Sequence, residues 1–342
     1  MTANKAAWIT APLQHPFAVH GAPMPTAGTG EIVIRTFAVS ANPVDWKIQA
    51  HGRYLSQFPF ILGEDAAGLV EEVGDGVTRF KKGDRVIAHC HGLMTRNPAN
   101  SAFQLYLVAT ASLVSTIPDF MTFEQAVVLP LAISTACAGL YEKALLGLPL
   151  PSTTNPKNSG KSVLIWGGAS SVGATAIQLA TASGVTVITT ASPANHKFVK
   201  SLGASTVFDY RSPNVVEKIA SILAETDFVG VYDAIGEDSS LDAISAILDR
   251  LNKKVPVASV LPSEKKTERF APVYIVAFSI IQAPNQHIGE WIWGKFISEA
   301  LANGSFQAKP DPLVTGHGLE SIQEAVDVQR KGVSAKKIVV TI

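Results

Sequence analysis

The chain has 342 residues, 47 % of them hydrophobic and 16 % charged, which suffices for two well-cored globular domains and excludes a disordered chain. Lys plus Arg and Asp plus Glu number 28 each, so charge recommends neither nucleic acid nor an anionic membrane as a partner, and small molecules are the expected ligands. No apolar run approaches a membrane span and Met1 to Lys5 lacks a secretory core, so a cytoplasmic protein is expected. Its two cysteines, Cys90 and Cys137, make neither a disulfide framework nor a cysteine zinc site.

Up to about residue 125 the pattern is β-rich. Strands are expected at Ala6–Thr10 and Glu31–Ser40, parted by a Pro/Gly-rich loop around Gly21 to Gly30. Leu62 to Gly74 alternates and carries glycines, as a bent strand does, before the turn Asp75-Gly76; Phe80–Ala88 reads as a second turn and strand, and a further strand lies near Phe103 to Val108. Two helical patterns follow between Thr122 and Glu142, with Thr122 and Gln125 as a capping box. Leu148 to Gly160 is polar and proline-rich and reads as an exposed loop.

Beyond it the period changes. Val163 to Trp166 is a continuous apolar run suited to a buried parallel strand, and Gly167-Gly168-Ala169-Ser170-Ser171 lets the backbone turn sharply. A helix follows from Val172, ending near Gly184, and a second strand runs from Val185 to Thr190. The spacing Gly168-x-Ser170-x-x-Gly173 matches a dinucleotide fingerprint with serine as its middle residue, and the first-turn N–H groups at Ser171 and Val172 would face a pyrophosphate. Alternation continues through helix Asn195–Leu202, strand Thr206–Phe208, helix Val215–Ala224, strand Phe228–Asp233, helix Ser239–Leu251 and strand Val255–Val260, predicting a doubly wound α/β sheet. A helix Gly289–Ala302, the segment Asp311–His317, a helix Glu320–Lys331 and a strand Lys337–Thr341 make a tail expected to return to the N-terminal domain.

Asn42-Pro-Val-Asp45, Gly63-Glu-Asp-Ala-Ala-Gly68, Val70-Glu-Glu-Val-Gly74, Phe80-Lys-Lys-Gly-Asp-Arg-Val86, the Gly168–Gly173 turn and Leu202-Gly-Ala204 before Phe208-Asp-Tyr-Arg211 occur in one order. Together they resemble the medium-chain dehydrogenase/reductase superfamily, in its zinc-free quinone oxidoreductase and fungal trans-acting enoyl reductase branch. The resemblance implies a GroES-like β-rich domain at 1–127 completed by 288–342, and a Rossmann NADPH-binding domain at 128–287, with a nicotinamide cofactor in the cleft between them. Zinc-dependent members carry Gly-His-Glu where this chain has Gly63-Glu64-Asp65 and a cysteine near Asn42 to Asp45, and the remaining carboxylates suit zinc poorly, so no metal is expected. His89, Cys90 and His91 follow a strand end and read as a loop near the cleft rather than as ligands.

The second strand ends in Thr190-Ala-Ser-Pro193 without the acid that holds a free ribose, which favours NADPH. Ser192, Lys197 and Tyr210, helped by Arg211, resemble the family's 2′-phosphate contacts; Asn42, Gly168, Ser170, Ser171, Val172, Gly173 and Ile235 complete the expected cofactor set. Without zinc to polarise a carbonyl, hydride transfer to an activated C=C bond of an enone, enoyl thioester or quinone is expected, followed by protonation. Tyr54 resembles the family's proton donor or substrate-orienting tyrosine, Lys47 would steady cofactor or oxyanion, and Thr135 resembles the residue beside the nicotinamide ribose. Each also has a plainer reading: a packing tyrosine, solvated charges at Lys47 and Lys197, a helix-packing threonine. Phe270, Tyr274, Phe278, Trp291 and Trp293 line an apolar pocket or fill the core. A stand-alone reductase, a reductase serving a polyketide synthase, a carbonyl reductase and an NADPH-binding sensor all stay open at this level, as do monomer and homodimer.

Overall fold

The computed structural model describes residues 3–52, 54–154 and 156–342. The chain divides into two compact units, Met1–Leu131 with Trp293–Gly304 and Ala308–Ile342, and Ala132–Ile292 with Ser305–Gln307. The first unit opens with strands β1 (Asn4–Ile9), β2 (Ala18–Ala22) and β3 (Glu31–Ser40), then helix α1 (Pro43–His51). Strands β4 (Phe60–Ile61), β5 (Asp65–Val73) and β6 (Arg85–His89), a single turn α2 (Gly92–Thr95), strands β7 (Tyr106–Thr110) and β8 (Val114–Thr116) and helix α3 (Phe123–Ala126) follow. Helix α4 (Pro130–Tyr141) leads into the second unit, which alternates β9 (Lys161–Trp166), α5 (Ser171–Ala182), β10 (Thr186–Thr190), α6 (His196–Ser201), β11 (Thr206–Phe208) and α7 (Val215–Ala224). It continues with β12 (Asp227–Asp233), α8 (Asp238–Leu251), β13 (Val257–Ser259), β14 (Pro272–Tyr274) and α9 (Gln286–Trp291); the tail supplies α10 (Ile297–Asn303), β15 (Pro312–His317), α11 (Ile322–Lys331) and β16 (Lys337–Thr341).

In the first unit a small antiparallel sheet, β2-β1-β4, lies beside a seven-stranded sheet of order β15-β16-β3-β5-β6-β8 with β7 also paired to β3. The tail enters this sheet directly, β16 running antiparallel to β3 with Val340 opposite Val39. Ile32, Ile34, Val70, Val86 and Leu107 share one core with Val326, Ile338 and Val340 of the tail, so the final residues are part of the hydrophobic interior rather than an appendage. Strand β5 bends against β3 at Gly68, where an added Cβ would stand 2.0 Å from the Arg35 carbonyl oxygen.

The second unit is a six-stranded parallel sheet of order β11-β10-β9-β12-β13-β14. That order reverses direction beside β9, which is where a doubly wound sheet opens its crevice. Leu164, Ile188 and Val231 of the sheet pack with Ile219 and Leu223 of α7 and Ile244 and Leu248 of α8, each helix presenting an apolar stripe.

Several local expectations are corrected. Asn42–Asp45, read only as a motif, caps and opens helix α1, because Pro43 suits a first helical position and Asp45 a first turn. The strand expected at Phe103–Val108 starts at Tyr106, since Phe103 and Gln104 are diverted to β1. The helix expected over Gly289–Ala302 is broken by a wide π turn at Ile292–Phe296. The 148–160 loop is not wholly exposed: Leu148 and Pro151 are buried, and the Trp291 indole donates to the Pro151 carbonyl at 2.9 Å. An apolar stretch of membrane-span length does exist, the 19 residues Phe123–Tyr141, but α3 and α4 divide it and 78 % of its window is buried in the protein. Trp293 and Phe270 are core residues, whereas Tyr274 is exposed.

The Gly68 contact makes a direct prediction. Gly68→Ala should lower stability by roughly 1–3 kcal/mol through overpacking against backbone, read as a fall in the urea midpoint; an unchanged midpoint would show that β5 can relax there.

Candidate functional site

The cradle of the second unit is built by the β9–α5 turn. Gly167 takes φ +81°, a conformation that L side chains rarely adopt, and an added Cβ at Gly173 would stand 2.2 Å from the Gly167 carbonyl oxygen. Ser170 caps α5: its hydroxyl accepts from the Gly173 N–H at 3.0 Å and donates to the Gly167 carbonyl at 2.9 Å. Serine therefore replaces the fingerprint's middle glycine by closing the turn on itself. The N–H groups of Ser171 and Val172, the first two of α5, have no intrahelical partner and are half-buried, so they form an anion seat at the positive end of a 12-residue helix.

Two neighbours fix the turn. Thr190, at the end of β10, accepts from Gly167 N–H through its hydroxyl at 2.9 Å and from Gly168 N–H through its carbonyl at 2.9 Å. On the other side Asp233, at the end of β12, accepts from the N–H groups of Ile235 and Gly236 at 3.0 and 3.1 Å and from the Ser240 hydroxyl at 2.8 Å. Burial raises the Asp233 carboxyl, while those donors and the Glu237 charge act in opposite senses on it. The loop it shapes sets Ile235 against Gly167, whose added Cβ would meet the Ile235 Cγ1 at 2.5 Å.

At the end of β10 the chain turns through Ser192 to Asn195. The Asn195 amide donates to the Ser192 hydroxyl oxygen at 3.1 Å, and His196 Nε2 lies 3.1 Å from the Ala191 carbonyl. Lys197 is exposed on α6, and Tyr210 is 41 % exposed beyond β11 with the Arg211 guanidinium carbon 5.0 Å from its ring centroid.

The first unit contains a buried polar hub. Asp65 Oδ2 accepts from the Ser40 hydroxyl at 2.5 Å and the Asn42 amide at 2.7 Å and pairs with Lys337 Nζ at 3.0 Å, while Oδ1 accepts from the Leu131 N–H at 2.6 Å. Lys337 also donates to the Asn42 side-chain oxygen, and Asp45 accepts from the Asn42 backbone N–H at 2.7 Å. Burial pushes the Asp65 carboxyl up, but Lys337 and the hydrogen bonds from Ser40, Asn42 and Leu131 together hold it below the usual carboxylate range. Its neighbours respond oppositely. Burial and the Asp65 charge raise Glu64 well above its ordinary value; burial, opposed by the Asn42 N–H and reinforced by Glu64 and Asp65, raises Asp45 to about 8. His89, 3.4 Å from Glu64, is driven by burial to about 4, as is His91 by burial and then His89. At neutral pH the cluster therefore carries the Lys337–Asp65 charges among largely neutral acids and neutral imidazoles.

Lys47 lies on α1 beside Trp46, its ammonium 5.6 Å from the indole centroid. Tyr54, beyond the end of α1, is 58 % exposed and holds φ +68°, a strained conformation for a bulky residue. Both belong to the first unit; Thr135 belongs to α4 in the second, where its carbonyl accepts from the buried Tyr232 hydroxyl at 2.9 Å. The second unit thus brings together Gly168, Ser170, Ser171, Val172, Gly173 and Ile235, whereas the amide of Asn42 is spent within the hub of the first. Sequence reasoning passed over Asp65, Lys337, Thr190, Asp233 and Asn195. A lysine opening the apolar strand Lys337–Thr341 was the one local sign of a buried counterion.

These residues do not fit a zinc ion. Asp65 already accepts from three groups, a fixed ammonium stands at its side, and among the described residues no three or more His, Cys, Asp or Glu side chains group to hold a metal. What the fold and the site define is a reductase built from a GroES-like unit and a doubly wound unit. Residues 28–131 match the family described as alcohol dehydrogenase GroES-like domain and residues 171–285 that described as zinc-binding dehydrogenase. The chain is 45 % identical to trans-enoyl reductase himH of Aspergillus japonicus over 91 % of its length and 90 % of that protein, and 41 % identical to dehydrogenase azaJ of Aspergillus niger over 95 % of each. In fold it resembles an alcohol dehydrogenase superfamily protein from Novosphingobium aromaticivorans (TM-score 0.78, 26 % identity, 99 % of each chain) and the CurK enoyl reductase (TM-score 0.74, 20 % identity, 99 % of each chain). The chain belongs to the medium-chain dehydrogenase/reductase superfamily and is an oxidoreductase.

The hub sets a pH dependence. A free aspartate titrates near ~3.9, so between about 4 and 8 the folded protein keeps a proton on Asp45 that the unfolded chain has lost. Stability from this group is full below the lower value and falls as pH rises through the upper one. Asn resembles the protonated acid and can still accept from Asn42, so the urea midpoint of Asp45→Asn should gain on wild type from pH 5 to pH 8; parallel curves would contradict the assignment.

Proposed function

We propose that the protein is an NADPH-dependent, metal-free reductase acting on a conjugated C=C bond, in an enone, an enoyl thioester or a quinone. The observation that carries the cofactor choice is the acid-free end of β10, where Ser192 is followed by Lys197 and faces no carboxylate of its own strand. Its relatives named trans-enoyl reductase support the choice of bond. NADPH supplies the hydride when bound. The chain's own residues do the rest. Ser171 and Val172 N–H groups hold the pyrophosphate, and Ser192, Lys197, Tyr210 and Arg211 receive the 2′-phosphate as hydroxyl donors and positive charge. Thr135 supports the ribose, Lys47 stabilises the negative charge that develops on the substrate oxygen, and Tyr54 delivers or directs the proton. Reduction inside a cytoplasmic polyketide synthase assembly is the setting this reading favours, with the synthase presenting an enoyl thioester.

The test is NADPH consumption, with product analysis, against short enones, ortho- and para-quinones, and enoyl thioesters of rising length. Saturated products are expected, and turnover of ketones to alcohols alone would contradict the reading. Within it, Tyr54→Phe should lose at least about tenfold in kcat with NADPH affinity intact; unchanged turnover would remove Tyr54 from the mechanism.

A further inference from the structure

We propose that Asn195 is a positioning residue that turns the Ser192 hydroxyl proton outward, and that this orientation sets the preference for a 2′-phosphorylated dinucleotide. The inference rests on the NADPH reading of the same strand end.

A serine hydroxyl has one proton and two lone pairs, and what it offers a ligand depends on which of these the protein takes. Here the Asn195 amide nitrogen donates to Ser192 Oγ at 3.1 Å, so a lone pair is taken and the proton is left. No acceptor for that proton stands among the described residues. The geometry is held from both ends: the Asn195 backbone N–H donates to the Ser192 carbonyl at 2.8 Å, closing the turn over Pro193 and Ala194, and Ala191 N–H donates to the Phe208 carbonyl at 3.0 Å, tying the turn to β11. The His196 ring, 3.1 Å from the Ala191 carbonyl, anchors the next residue as well. Ser192 is half-buried, so its free proton remains within reach of a ligand.

The chemistry this selects is specific. A phosphate monoester offers only acceptor oxygens and requires donors, whereas a free ribose hydroxyl can donate or accept and gains little from a fixed proton. Strands that end in an acid present the opposite, an acceptor without a proton. Asn195 thus leaves the Ser192 hydroxyl its proton to donate, at a strand end that is followed in sequence by the cations Lys197 and Arg211. Reversing the polarity at residue 195 should reverse the effect: an aspartate would accept the Ser192 proton and place a negative charge beside the phosphate.

The test is calorimetric binding of NADPH and NADH, and of adenosine 2′,5′-bisphosphate and 5′-AMP, to the whole protein. Asn195→Ala should weaken the two 2′-phosphorylated ligands by roughly threefold to tenfold, and Asn195→Asp by at least about tenfold, with NADH and 5′-AMP changed by less than about twofold in both. Melting curves without ligand verify that each variant is folded. In a Ser192→Ala background, Asn195→Ala should have no further effect on the NADPH-to-NADH ratio, because Asn195 acts through that hydroxyl. Additive effects in the double variant, or equal losses for both coenzymes, would overturn the inference while leaving the cofactor reading in place. A wild-type protein that binds NADPH and NADH alike would overturn both.

Discussion

The ion pair between Lys337 and Asp65 is the constraint on which the first unit depends. Each charge is almost wholly removed from water, a situation that costs several kcal/mol per ion unless pairing and hydrogen bonds offset it. Here Ser40, Asn42 and the Leu131 N–H satisfy what the ammonium leaves of the carboxylate. These partners come from the end of β3, the cap of α1, the start of α4 and the first residue of β16, so one carboxylate registers four segments of distant sequence. Removing either charge would leave the other uncompensated, a loss of about 3–5 kcal/mol. Burial, aided by the Asp65 charge, keeps the neighbouring Glu64 and Asp45 protonated.

The second unit solves its problem without side-chain charge. Backbone N–H groups at the start of α5 are left open because Ser170 caps Gly173 and closes the turn locally, and Thr190 and Asp233 clamp the turn from β10 and β12. Cationic side chains stand farther along the chain, at Lys197 and Arg211. A pyrophosphate seat made of backbone is common to many dinucleotides, so in the reading we propose selectivity would fall to the few side chains beyond β10.

Much of the fold was legible in the sequence, and the exceptions have physical causes. The strands and helices of the second unit follow from apolar runs and stripes at fixed period, and Gly167 to Gly173 could be named as a turn from spacing alone. Helix α1 was not legible, because Asp45 and Gln49 are buried polar residues that blur its apolar stripe. The break at Ile292–Phe296 was hidden because exposed Glu290, Lys295 and Glu299 still alternate with buried apolar pairs much as they would along one regular helix. For the site, the missing acid at the strand end favoured a 2′-phosphate, while Ser192, Lys197 and Tyr210 were singled out by the family resemblance rather than by local pattern. The direction of the Ser192 hydroxyl and the convergence of Ser40, Asn42, Asp65, Leu131 and Lys337 were not legible, since both are set by distances between residues that local pattern does not relate.

The reaction we propose for this frame is hydride delivery to a conjugated double bond. Reaction of an enoyl thioester with NADPH carrying deuterium at C4 of the nicotinamide, followed by mass and NMR analysis of the product, measures it directly. The account predicts one deuterium on the β-carbon, with a solvent-derived hydrogen on the α-carbon. Deuterium on the carbonyl carbon, or a thioester recovered without label while NADPH is bound, would contradict it.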